Sequence, residues 1–147
     1  MLFVIFLMEM KASLLIGKVD KAKKKDIIKE KVMRREFVEL PLFVTKWKAL
    51  NLNDKDLRKL QEILLLNPKI GSVIRGTNGV RKMRFAFEHK GKSGSSRIVY
   101  VDFEVQEKIY LISAYAKNEK NNLSQAERND IQKLVKILHD QLKRKEK

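Results

Sequence analysis

The alternation of apolar and polar residues becomes regular only after about residue 33. Residues 35–40 (REFVEL) fit a short strand that ends at Pro41, because proline has no N–H to donate to a ladder. Residues 43–50 fit a first helix, with apolar positions at helical spacing. A second helix is predicted from Asn53, a good N-cap, to Asn67, which precedes a proline.

Three more strands and a last helix follow. Strand-like runs cover residues 80–87, 97–103 and 109–116, and their connections are short enough for antiparallel neighbours. Ser124 and Glu127 form a capping box at the start of an amphipathic helix. The sequence therefore predicts an α+β fold, a small antiparallel β-sheet with the first two helices packed on one face and a C-terminal helix.

The N-terminal segment differs from the rest in composition. Its first eight residues are apolar, but Glu9 and Lys11 end that run, and a membrane span requires about 20 apolar residues. No secretory leader is recognisable. Residues 18–35 are dominated by lysine, as in a basic helix or a solvated arm. We predict that residues 1–32 lie outside the domain proper and that the domain covers residues 33–147.

Charge narrows the range of partners. The chain has 33 lysines and arginines against 18 acidic residues, a formal net charge of +15. Residues 1–32 contribute +4 of this charge, so +11 belongs to the predicted domain. Such an excess favours RNA, DNA or an anionic membrane surface. The chain has no cysteine, which excludes disulfides and thiolate chemistry and is compatible with a cytoplasmic location.

The strand at residues 80–87 offers a first site for phosphate. With a period of two, Lys82 and Arg84 project from the face opposite to Met83, Phe85 and Phe87. If the apolar face packs on the helices, two adjacent cations stand on the open face. An ordinary solvated face of a basic protein would give the same pattern.

Two other segments add cations to this strand. Residues 90–96 (KGKSGSS) are predicted to form a flexible cationic loop that delivers Arg97 at the start of the next strand, although a plain hairpin is the alternative. At the end of the last strand, Tyr115 and Lys117 are predicted to share a face. The further cations predicted to contact RNA are Arg75, Arg81, Lys90 and Lys92.

Metal chemistry has no support in the sequence. His89 and His139 are the only histidines, and neither has carboxylates at ligand spacing. No Ser-His-Asp arrangement or acidic pair is recognisable. We therefore predict no metal site and no cofactor, and a nuclease built on this sequence would work with cations and a tyrosine.

Four ordered segments resemble a known family: residues 67–71 (NPKIG), 75–84 (RGTNGVRKMR), 91–100 (GKSGSSRIVY) and 115–119 (YAKNE). Through them, residues 37 to about 136 resemble the RelE/ParE superfamily of bacterial type II toxins, and within it the HigB-like branch. The resemblance implies a sheet with helices on one face. It also implies a metal-independent endoribonuclease that cleaves mRNA in the ribosomal decoding site by attack of the ribose 2′-hydroxyl. The implied partner is a helix-turn-helix antitoxin of the HigA type.

The resemblance also implies roles for particular residues. Two cations on one strand and an arginine on the next bind the scissile phosphate, and these positions fall on Lys82, Arg84 and Arg97. Independently of the resemblance, the chemistry of the side chains makes Lys82, which is crowded by the two arginines, a candidate for proton transfer, and Tyr115 a candidate for proton transfer or stacking on a base. A further cation follows the last strand, where this sequence has Lys117. The tyrosine that the family archetype carries near its C-terminus has no counterpart in this sequence.

The sequence is also compatible with two other functions. One is a ParE-like toxin that poisons DNA gyrase, which needs no cationic catalytic cluster. The other is a non-catalytic basic module that binds RNA, ribosomes or a membrane surface, in which residues 21–25 (KAKKK) would do the binding.

Overall fold

The computed structural model describes residues 4–11, 32–89, 92–120 and 122–146. The strands in these ranges are β1 (Val4–Lys11), β2 (Val32–Glu39), β3 (Ser72–Val73), β4 (Arg81–His89), β5 (Lys92–Phe103) and β6 (Lys108–Ala116). The helices are α1 (Pro41–Ala49), α2 (Asp54–Leu66) and α3 (Gln125–Lys145). The predicted α+β fold, with two helices before the central strands and one at the C-terminus, is confirmed.

One sheet contains all of these strands, in the spatial order β1-β2-β6-β5-β4-β3. The neighbours from β3 to β6 are antiparallel, as expected for a meander. The β2–β6 pair is parallel, so the sheet is mixed and not purely antiparallel. Parallel pairing requires a long connection, and here two helices and three strands lie between the two partners.

Different helices pack on the two sides of the sheet, and we call these sides the α1/α2 face and the α3 face. On the α1/α2 face, apolar residues of the first two helices pack against Met83, Phe85 and Ile98. On the α3 face, Val135 and Leu138 of α3 belong to a second core with residues of β5 and β6. The apolar stripe of α3 therefore faces the core. Each large apolar side chain buried in this way contributes about 1.5–3 kcal/mol to stability.

Capping fixes where two of the helices begin. Asn53 Oδ1 accepts from the N–H of Asp56 (3.0 Å), and the Asp56 carboxylate accepts from the N–H of Asn53 (2.9 Å). Ser124 and Glu127 make the same reciprocal pair at α3, at 3.1 and 2.8 Å. Both predicted helix starts are confirmed, because these side chains satisfy N–H groups that the first helical turn leaves unpaired.

The prediction of a flexible loop over residues 90–96 is wrong for most of that segment. Strand β5 begins at Lys92, and the β4–β5 ladder extends to the pair His89–Lys92. Small residues permit this pairing, since a Cβ on Gly94 would lie 2.8 Å from the ring of Phe87 on the opposite strand. Arg97 therefore lies inside β5 and not at its start.

The N-terminal segment is described only in part. Strand β1 pairs antiparallel with β2 at one edge of the sheet, and the boundary predicted at residue 33 falls within β2. The lysine-rich run before β2 lies mostly outside the described residues. That residues 1–32 are separate from the domain stays a prediction.

A buried tyrosine holds the NPKIG segment against the first residues of β4. The Tyr100 hydroxyl accepts from the N–H of Gly71 (2.9 Å) and donates to the carbonyl of Pro68 (2.8 Å). Arg81 donates to the Gly71 carbonyl at 2.7 Å. A Cβ on Gly71 would lie 2.7 Å from the carbonyl oxygen of Lys82, so only glycine fits this approach. These contacts fix the end of β4 that carries Lys82.

Candidate phosphate-binding site

Two arginines stand directly opposite each other on the α3 face. The β4–β5 register pairs Arg84 with Arg97, and residues opposite each other in an antiparallel pair project to the same side. Within the described ranges neither guanidinium has an acidic partner. Like charges in this arrangement destabilise a sheet, and an anion between them would remove the repulsion.

The next strand extends this surface with a tyrosine. Arg97 also pairs with Tyr115 on β6, so Arg84, Arg97 and Tyr115 form one row across three strands. The Tyr115 hydroxyl and one terminal nitrogen of Arg97 are buried without a hydrogen-bond partner among the described residues. Unpaired buried polar groups are rare and costly, at about 1–3 kcal/mol each. An arginine N–H and a phenol O–H can both donate to a phosphate oxygen.

Lys82 lies on the same face, two residues before Arg84. Its ammonium group donates to Oδ1 of Asn122, in the turn before α3, at 2.8 Å. The prediction from strand periodicity that Lys82 and Arg84 share the face opposite to Phe85 is therefore confirmed. Asn122 keeps the lysine ammonium at the boundary between the sheet and the N-terminus of α3.

A cation that the sequence did not identify covers Tyr115. Nζ of Lys120 lies 5.1 Å from the centroid of the Tyr115 ring and 2.6 Å from Oε1 of Glu127. Glu127 is the third helical residue of the α3 capping box. Its hydrogen bond from Lys120, and next that from the Ser124 backbone, lowers the pKa of its carboxyl. The capping box was recognisable in the sequence, whereas the path of the turn that brings Lys120 back over the sheet was not.

Burial raises the pKa of Tyr115, and the positive charges of Lys120 and Arg97 oppose this effect. The phenol therefore keeps its proton at neutral pH and can act as a hydrogen-bond donor. Its side chain is only 2 % exposed, so the ring has no open face on which a base could stack. This burial argues against the stacking role expected for Tyr115, and its role in proton transfer stays a prediction.

Other predicted residues lie apart from this row. Lys117 follows the end of β6 and borders an open cavity of about 510 Å³, together with Phe87 and Gly94 from the α1/α2 face. Arg81 donates through one terminal nitrogen to the carbonyls of Lys69 (3.3 Å) and Gly71 (2.7 Å), and its contact with RNA stays a prediction.

The remaining RNA-contact predictions divide into three cases. Arg75 is exposed and lines a smaller cavity beside Lys82. Lys92 is the first residue of β5, at the tip of the β4–β5 hairpin. Lys90 lies outside the described residues.

The described residues contain neither a cluster of metal ligands nor a membrane-spanning helix. Nowhere in the described ranges do three or more histidine or acidic side chains come together as metal ligands would. His139 stacks on Phe103, with ring centroids 5.8 Å apart. In the same part of the chain, none of the helices combines the length and apolarity that a membrane crossing requires.

Together, the fold and the site define a small basic α+β protein with arginine, lysine and tyrosine side chains on one sheet face. A family model described as the RelE toxin of the RelE/RelB toxin–antitoxin system matches residues 42–146. The chain therefore belongs to the RelE toxin family, and the resemblance to the RelE/ParE superfamily is confirmed. The match begins in α1 and ends at the last described residue after α3. It identifies the protein as a toxin whose class works with an antitoxin.

Proposed function

We propose that this toxin is a metal-independent endoribonuclease of the HigB-like branch, which cleaves messenger RNA in the ribosomal decoding site. The row of Arg84, Arg97 and Tyr115 supports this function most directly, because it combines two opposed cations with unpaired buried donors on one face. We further propose that the protein acts in the cytoplasm and that a HigA-like helix-turn-helix antitoxin neutralises it.

The reaction that suits these groups is an internal transesterification. The ribose 2′-oxygen forms a bond to its own 3′-phosphorus while the bond to the 5′-oxygen of the next nucleotide breaks. The products are a 2′,3′-cyclic phosphate and a 5′-hydroxyl end, and no water is consumed. One proton leaves the 2′-hydroxyl and one reaches the 5′-oxygen, so a proton acceptor and a proton donor are both required.

The residues of the row divide these tasks. Arg84 and Arg97 hold the non-bridging oxygens, where negative charge increases in the transition state. Tyr115 donates from a protonated phenol, consistent with its raised pKa. Lys82, kept in place by Asn122, takes part in proton transfer at the adjacent position on β4.

The test uses purified ribosomes programmed with a defined mRNA, with cleavage positions mapped by primer extension. Arg97→Ala should lower the cleavage rate about 100-fold, the loss typical for removal of one transition-state donor. Arg58→Ala is the matched control, since Arg58 is an exposed cation of α2 on the other side of the sheet. Wild-type protein that leaves mRNA intact but blocks gyrase on supercoiled DNA would assign it to the gyrase-poisoning class instead.

Tyr115→Phe separates a catalytic role from a structural one. The hydroxyl is buried and has no hydrogen-bond partner among the described residues, so its removal should raise the free energy of unfolding by about 1–3 kcal/mol. If the phenol donates a proton in the reaction, the same variant should lose cleavage activity. A variant that cleaves like wild type would remove Tyr115 from the mechanism.

A further inference from the structure

A second cationic cavity lies beside the row, between β4 and the N-terminus of α3. It has a volume of about 130 Å³, and its lining includes Arg75, Lys82, Asn122 and Arg128. No acidic residue is among the described residues that line it. Since a water molecule occupies about 30 Å³, the cavity has room for a group the size of a phosphate.

The side chains around this cavity retain donors that can reach an anion. Arg128 donates through Nε to the carbonyl of Leu123 at 3.2 Å, which orients the guanidinium and leaves its terminal nitrogens without a partner among the described residues. Asn122 accepts from Lys82 through Oδ1, so its amide N–H groups stay available. Arg128 also lies in the first turns of α3, where the helix dipole favours negative charge.

The position of the cavity relative to the row matches the geometry of a nucleic-acid strand. Lys82 borders the cavity, and Arg84 stands two residues further along the same face of β4. Two residues of a strand span about 7 Å, which is comparable to the separation of neighbouring phosphates in an extended single strand. An RNA strand bound along this face of β4 would therefore place Lys82 between two neighbouring phosphates.

We propose that this cavity binds the phosphate next to the scissile one in single-stranded RNA, with Arg128 and Arg75 as its principal contacts. The inference rests on the proposed function only in naming the other phosphate as scissile. It adds Arg128 and Asn122 to the RNA-binding surface and gives the RNA a defined path from the row toward α3.

The test measures binding without cleavage. A fluorescent single-stranded RNA with 2′-O-methyl groups throughout cannot undergo the reaction, and its Kd is followed by anisotropy at several salt concentrations. Arg128→Ala should raise Kd about tenfold at low salt. It should also reduce the slope of log K against log salt by about 0.7, the value for one phosphate contact in a single strand.

A methylphosphonate scan identifies the phosphate. Replacing one linkage at a time with this uncharged group should reveal one position at which Arg128→Ala has no further effect. The linkage that cancels the effect of Arg84→Ala should be its immediate neighbour. Arg128→Lys retains the charge and should keep the salt slope of the wild type, while Arg58→Ala should leave binding unchanged.

Two results would overturn the subsite. One is an Arg128→Ala variant, folded by thermal melting, with wild-type affinity and salt slope. The other is a scan in which one and the same methylphosphonate linkage cancels the effects of both Arg128→Ala and Arg84→Ala. Because the RNA is uncleavable and no ribosome is present, the subsite can hold while ribosomal cleavage fails. Conversely, wild-type cleavage with no Arg128 effect on binding would reject the subsite alone.

Discussion

The bonds of the Tyr100 hydroxyl give the most quantitative prediction from this structure. Tyr100→Phe removes a fully buried oxygen that accepts from Gly71 at 2.9 Å and donates to Pro68 at 2.8 Å. Burial raises the pKa of Tyr100, so the wild-type phenol keeps the proton that it donates. The substitution loses two bonds of about 1 kcal/mol each and leaves the Gly71 N–H without its partner, so the expected destabilisation is about 2–3 kcal/mol.

Urea unfolding measures this loss directly. Trp47 is the single tryptophan, it is buried between α1 and the sheet, and its fluorescence reports the unfolding of that core. For a chain of this length the expected fall in Tm is about 5–10 °C. Tyr110→Phe is the matched control, since the hydroxyl that it removes has no hydrogen bond to any described residue. If both variants unfolded at the same urea concentration, the hydroxyl contacts would not stabilise the NPKIG segment as argued.

Three further substitutions test other parts of the structure. Gly71→Ala places a Cβ 2.7 Å from the carbonyl oxygen of Lys82, so the free energy of unfolding in urea should fall by about 1–3 kcal/mol. A variant as stable as the wild type would refute the close approach. Burial, and secondarily the charge of Asp54, raises the pKa of Glu39 above its usual value of 4.5. The folded state therefore binds this proton more tightly than the unfolded state does, and it loses stability as the pH rises from the usual pKa through the raised one. Glu39→Gln should therefore raise Tm by about 3 °C at pH 7 and by much less at pH 4, and a constant difference would contradict this. The lowered pKa of Glu127 has the opposite sign. The small stability that Glu127→Gln removes at pH 7 should be lost as the pH falls through the lowered pKa of the folded state, and melting curves at neutral and acidic pH would show this.

Local chemistry made several elements predictable from the sequence. Asn53 and Ser124 mark their helix starts because each supplies a side-chain acceptor within reach of the N–H of the third helical residue. The period of two along β4 was enough to place Lys82 and Arg84 on the face away from the first two helices.

The predictions failed in a segment of small residues and in the turn after β6. Gly94 and its neighbouring serines have the composition of a loop, yet they form a strand because the ring of Phe87 fills the space above the glycine. The site residues of the turn after β6, Lys120 and Asn122, follow no periodic pattern, so their return over the sheet required the tertiary structure. The same holds for Arg128, whose position in α3 gives no sign of the cavity that it borders.

The row on the α3 face combines costs that a protein selected only for stability would avoid. An opposed pair of like charges changes sheet stability by about 0.2–1 kcal/mol, and each buried donor without a partner costs about 1–3 kcal/mol. Arg84, Arg97 and Tyr115 place these costs at neighbouring positions of one three-strand segment. A bound phosphate offers acceptors to the unpaired donors and charge to the opposed cations at the same time. The features that weaken the free protein are therefore the ones that a phosphate ligand would relieve, so the row supports the proposed phosphodiester chemistry more specifically than the net charge does.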